Sequence, residues 1–259
     1  MDLGLRGRTA IARPIPDDAP ETIAEALVAE GANVAMFARR RELLEREADR
    51  LGALAVRGDL TNPAHLETLV ERTLEAFSGI DVLVLNGGGP ERTTASDVTA
   101  ESLEHAVDLL LTSSVRLAGL CLPHLKASGR GRIVAITSSS VREPIANLAL
   151  SNAVRPGLVG WLKTLARELG PDGITVNTIA RGRIDTDRLR AVYGPDGPSQ
   201  ADLEQVAPAA EHGDVGALAH ELLGDCEAHA RRRAADDRRP AAEPQVHRRK
   251  ANRAGVQRP

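Results

Sequence analysis

Aromatic side chains are almost absent from this chain: two Phe, one Tyr and one Trp make up 2% of its 259 residues. A core must therefore be filled by Leu, Val, Ile and Ala, and an apolar content of 42% is enough to build one. Cysteine is scarce too. Cys121 and Cys226 alone exclude a disulfide framework and a thiolate metal cluster, and a reducing, cytoplasmic setting is expected. The seven histidines show no metal-ligand spacing, so no metal is expected. Neither sign of charge dominates: 33 Lys and Arg stand against 36 Asp and Glu, a net −3, which gives the whole chain no electrostatic case for nucleic acid. No uncharged apolar run approaches the roughly 20 residues of a bilayer span. The stretch from Met1 to Arg8 has no apolar signal core, so no membrane association is expected.

What is present is an alternation of short apolar runs with longer segments of helical period. Residues 33–38, 53–56, 81–85, 133–136 and 174–177 read as buried strands. Leu66, Leu69, Val70, Leu74 and Phe77 fall on one helix face, as do Leu103, Val107, Leu110 and Leu111, and then Leu158, Leu162, Leu165 and Leu169. Strands that alternate with helices of ten or more residues predict a parallel sheet covered on both faces, with ligands beyond the carboxyl ends of its strands. Asn86, Ser138 and Ala180 all stand at such ends. The pattern fades after residue 224. From Arg231 to Pro259 there are ten Arg or Lys, three Asp or Glu, no aromatic and no apolar period. Such a stretch cannot bury enough surface to offset its ordering entropy, so residues 1–224 are read as one domain and 225–259 as a basic, disordered tail.

Three segments together resemble the short-chain dehydrogenase/reductase family, near the bacterial 3-oxoacyl-(acyl carrier protein) reductases. They are Asp81 to Gly88, Gly131 to Ser138, and Ser151 through Trp161-Leu162-Lys163-Thr164-Leu165 to Asn177. The resemblance spans roughly Arg8 to Arg190. It implies a Rossmann-like, doubly wound α/β fold, in a single domain whose last strand is missing or altered here. It also implies an oxidoreductase that uses NADP, or NAD, on a carbonyl or alcohol such as a 3-oxoacyl thioester. A homodimer or homotetramer built on helices near 101–125 and 152–169 is implied as well. Arg39, beside Arg40, matches the cation that meets an NADP 2′-phosphate, and a solvated turn would look the same. Asp59 and Leu60 resemble the pair that brackets adenine; a helix N-cap region is the competing reading of Asp59 and Thr61. Asn86 and Gly88 resemble the turn against the cofactor, and Thr186 the threonine near the nicotinamide amide, although Arg181 replaces the family's proline before Gly182.

The family's glycine loop is not written in the chain. Its three glycine positions hold Pro14, Asp18 and Pro20. Proline offers a phosphate no N–H, and Asp17 with Asp18 puts negative charge where a pyrophosphate would lie, so cofactor binding is expected to be impaired. An alien peptide of unchanged length between matched flanks is what a compensated pair of frameshifts would leave. A glycine loop in another frame of the gene is the expected sign.

The catalytic set is altered too. Ser138 matches the family's serine. At the tyrosine position stands Ser151, at the lysine position Arg155, and the supporting asparagine aligns with Leu110. A serine hydroxyl is a far weaker acid than a phenol with a pKa near 10. Arg155 stays charged and can stabilise an oxyanion without passing a proton on. Ser138 reads as a substrate contact or a strand-end serine, and Ser151 as a catalytic group or a helix N-cap. A pseudoenzyme that keeps the fold, and a cofactor-free lyase or cyclase, stand as the alternatives.

Overall fold

The computed structural model describes residues 3–12 and 23–181, and the backbone alone of 183–184 and 206–207. The glycine-loop positions, Thr186, the awaited last strand and the tail after residue 224 lie outside the described residues. Six parallel strands form one sheet: β1 Thr9–Ala12, β2 Asn33–Ala38, β3 Leu54–Arg57, β4 Val82–Leu85, β5 Arg132–Ile136 and β6 Thr175–Ile179. Their order across the sheet is β3-β2-β1-β4-β5-β6. The expected doubly wound α/β sheet is therefore present, with its strand order reversing between β1 and β4. A separate two-stranded pair joins β7, Arg183–Ile184, to β8, Val206–Ala207.

Residue alternation in each strand sends side chains to two cores. On one face Ile11, Leu83 and Ile133 pack with Leu69 of α3 (Pro63–Phe77), Leu117 of α5 (Ser113–Ala127) and Leu162 of α6 (Ala149–Leu169). On the other, Ala10, Met36 and Val84 pack with Leu27 of α1 (Ile23–Ala29) and Leu44 of α2 (Arg41–Leu51). β1 and β4 are buried at every residue, whereas β6 is only partly covered along its length. Among the described residues β6 ends the sheet, so its uneven burial is that of an edge strand.

The helix expected near 101–125 runs from Ala100 to Ala127 in three pieces: α4 (Ala100–Val107), a π turn at Asp108–Thr112, and α5. By length and composition alone it could cross a membrane. Its Leu117, Ala118, Cys121 and Leu125 are instead buried in the sheet's core. Burial pushes the Cys121 thiol up to about 12, so it stays protonated and unreactive.

Candidate active site

β4 delivers the first part of the site. It ends at Leu85, and Asn86, Gly87 and Gly88 turn away from the sheet. Asn86 Oδ1 accepts a long hydrogen bond from the Gly88 amide at 3.4 Å, and Gly88 sits at φ 76°, a left-handed conformation that favours glycine. A Cβ on Gly87 would come within 3.0 Å of the Leu109 carbonyl oxygen, so this turn lies hard against the π turn.

β5 delivers Ser138. The Thr137 amide donates to Ile179 O at 2.8 Å and its hydroxyl to the same oxygen at 3.0 Å, while the Ser139 amide donates to Arg181 O at 2.9 Å. These bonds tie the ends of β5 and β6 together and fix Ser138 beyond the strand. Ser138 Oγ accepts from the Ser140 amide at 3.2 Å, which caps the 3-10 turn Ser139–Val141. Ser138 therefore stands at the strand end as the cap of that turn. The neighbouring Ser140 hydroxyl is buried without a partner among the described residues. A buried unmet hydroxyl costs about 1–3 kcal/mol. Ser140→Ala is therefore expected to raise stability, by about 1 kcal/mol in chemical denaturation; a loss would show that the hydroxyl is engaged.

α6 delivers the remaining pair. The N-cap reading of Ser151 is corrected: the cap position is Leu148, without a side-chain cap, and Ser151 lies in the first turn with 6% exposure. Arg155, one turn on and 8% exposed, donates from Nε to Ser151 Oγ at 2.9 Å. Its Nη1 donates to Ile136 O at 3.4 Å and its Nη2 to Gly88 O. One guanidinium therefore bridges the ends of β4 and β5 and holds the Ser151 oxygen. Pro156 does not break the helix. It faces solvent, where the Asn152 carbonyl that it leaves without a helical donor can be hydrated.

Leu110 fills its position with carbon. It is 1% exposed and packs with Ala106, Leu150 and Val154. Its carbonyl accepts from the Ser114 hydroxyl at 2.8 Å, and Leu109 O accepts from the Ser113 hydroxyl at 2.6 Å. The two serines serve the carbonyls that a π turn displaces. Neither that turn nor these serines is announced in the sequence, because Asp108-Leu109-Leu110-Leu111-Thr112 contains no helix breaker.

Arg39 and Asp59, matched to the family's adenosine contacts in the sequence, lie together on the β2–β3 side of the sheet. The Arg39 guanidinium lies 3.8 Å from the Asp59 carboxylate, and both face solvent. Asp59 Oδ1 accepts from the Thr61 amide and hydroxyl, each at 2.9 Å. Asp59 and Thr61 thus stand in the N-cap region of α3, whose cap is Asn62: its Oδ1 accepts from the Ala64 amide at 3.0 Å, with Pro63 at the first helical position. Gly58 is forced by space, since a Cβ there would stand 2.4 Å from the Phe37 ring. A narrow crevice opens at the switch between β1 and β4, lined by Ile11, Phe37, Leu60, Asn86, Gly87 and Ser113 among others. Leu60 and Asn86 thus line one crevice, with Gly88 next to its Gly87, Arg39 and Asp59 on the β2–β3 side and Ser138, Ser151 and Arg155 on the β5–α6 side. Among the described residues no cluster of His, Cys, Asp or Glu could hold a metal.

The family profile described as enoyl-(acyl carrier protein) reductase matches residues 21–227. A 3-oxoacyl-[acyl-carrier-protein] reductase of Vibrio cholerae is 31% identical over 216 residues, 82% of this chain and 86% of that protein. Among solved structures, an L-sorbose reductase from Gluconobacter frateurii complexed with NADPH and L-sorbose aligns with a TM-score of 0.75 at 26% identity, over 87% of this chain and 92% of that one. A short chain dehydrogenase from Burkholderia cenocepacia in complex with NADP gives 0.71 at 29% identity, over 85% and 91%. With the six-stranded order and the segments at 81–88, 131–138 and 151–177, these likenesses place the chain in the short-chain dehydrogenase/reductase family of NAD(P)-dependent oxidoreductases.

Proposed function

We propose that the chain is an NADP(H)-dependent reductase of a carbonyl, or NADP-dependent dehydrogenase of the corresponding alcohol, in which Ser151 and Arg155 take the place of the family's tyrosine and lysine. The observation that carries this reading is the buried bond from Arg155 Nε to Ser151 Oγ. The oxygen accepts from a permanent cation, and among the described residues nothing takes the hydroxyl's own proton. Such a hydroxyl is polarised toward donation.

The described residues fit the adenosine end of the dinucleotide. Leu60, Asn86 and Gly87 line a crevice at the strand-order switch, and Arg39 supplies a cation at the end of β2 where a 2′-phosphate would be met. A bound nicotinamide supplies hydride chemistry. The protein's part is to place and polarise the substrate oxygen. Ser138 and Ser151 donate to it, and the Arg155 charge favours negative charge that develops there. Arg155 returns no proton, so Ser151 must be reprotonated from water. This predicts turnover slower than a phenol-based site would give. A 3-oxoacyl thioester is the proposed substrate class, by likeness to the Vibrio cholerae enzyme. Self-association through the long helix is proposed too, because Leu103 and Val115 stay 39% and 37% exposed on it.

The test is reduction of an acetoacetyl thioester, followed by loss of NADPH absorbance. Ser151→Ala is expected to lower kcat by about a hundredfold to a thousandfold with NADPH affinity unchanged, in the range of a lost oxyanion donor. Ser138→Ala should mainly raise KM. A Ser151→Ala variant as fast as the parent would remove Ser151 from the reaction.

A further inference from the structure

The stretch between Ser138 and Ser151 has its own fastening, built from a residue with no part in the reaction proposed above. Asn152 follows Ser151 on α6, and its carboxamide makes a two-point clamp on one residue of that stretch. Its Oδ1 accepts from the Ile145 amide at 3.2 Å, and its Nδ2 donates to Ile145 O at 2.8 Å. A second anchor lies on the other side. Leu148 forms a parallel bridge with Thr93, and the Ala149 amide donates to Thr93 O at 3.2 Å. Asn147, between the anchors, turns the chain at φ 56°. Residues 142–144, 146 and 147 are exposed, so little apolar burial holds them.

We infer that Asn152 is a positioning residue: it pins the segment that joins Ser138 to Ser151, and so sets how the two hydroxyls converge on one substrate oxygen. The inference rests on the reductase reading of those hydroxyls. Its chemistry is specific to an amide. Asparagine is the shortest side chain that offers both a donor and an acceptor in the plane needed to pair with a backbone N–H and C=O. The substitution Asn152→Asp would keep the acceptor and lose the donor, and Asn152→Ala would lose both.

The test compares the parent with Asn152→Ala and Asn152→Asp. Three quantities are read: amide hydrogen exchange over 142–148, KM and kcat for the acetoacetyl thioester, and NADPH affinity. The expected result for Asn152→Ala is exchange at least tenfold faster in that stretch. KM should rise at least fivefold, with kcat and NADPH affinity each within twofold of the parent. Asn152→Asp should fall between, and it serves as the working variant if the alanine form does not fold. A role in stability alone would speed exchange without moving KM, and that outcome overturns the inference. Unchanged exchange would show that the clamp holds nothing. Absence of turnover in the parent would sink the reductase reading, and the positioning role with it; unchanged exchange in an active parent would sink the clamp alone.

Discussion

Arg155→Ala is expected to lose about 3 kcal/mol or more of folding stability, the largest single-residue effect anticipated at the site. The side chain is 8% exposed and among the described residues donates to Ser151 Oγ, Ile136 O and Gly88 O. Hydrogen bonds from a charged donor contribute roughly 1.5–3 kcal/mol each, and every buried carbonyl left unmet costs about 1–3. The sum is large against total stabilities of about 5–15 kcal/mol. Arg155→Lys keeps the charge but has one nitrogen in place of the planar fork, so it should reach one or two of these acceptors and lose about half as much. Denaturant titration by circular dichroism reads both variants. A loss below about 1 kcal/mol for Arg155→Ala would mean that the guanidinium does not cross-link β4 and β5.

Writing the glycine loop back in should have the largest effect on cofactor affinity. Pro14→Gly, Asp18→Gly and Pro20→Gly together restore two backbone N–H donors, remove one negative charge and permit the left-handed backbone that a close approach to pyrophosphate requires. The triple variant is expected to bind NADPH at least tenfold more tightly, which corresponds to about 1.4 kcal/mol. Calorimetry on the folded variants is the measurement. Equal affinity in parent and variant would show that residues 11–21 do not limit binding.

These two expectations come from different depths of reading. Substitutions in the loop are visible in the sequence because a phosphate cradle needs particular residue types at fixed spacing. The sheet was legible for a similar reason: runs such as Val82-Leu83-Val84-Leu85 are too short and too apolar to be anything but buried parallel strands, and the structure buries all four. Helix periodicity placed α3, α4 and α6 because their apolar residues repeat on one face, and it ran through the π turn at Leu110 and Leu111 without marking it. Local side-chain choices were not legible. Asp59, Thr61 and Asn62 can each cap a helix, and Pro63 decides for Asn62 by starting the helix at the next residue. Ser151 looked like a cap, but the helix begins two residues earlier, where the anchors at Thr93 and Asn152 already orient the chain. The π turn at Asp108–Thr112 arises from tertiary packing between Gly87 and α6, and no residue pattern encodes it. The Arg155 bridge joins residues 67 and 19 positions apart, so it exists only once the sheet is assembled.

The central claim is that a dinucleotide site survives at the strand ends of this sheet despite the altered loop. Calorimetric titration of the folded parent chain with NADPH and with NADH tests it most directly. The account predicts saturable binding, weaker than that of the glycine-restored triple variant, with NADPH favoured over NADH and that preference abolished by Arg39→Ala. No binding of either dinucleotide at millimolar concentration, in a chain that circular dichroism shows to be folded, would contradict it.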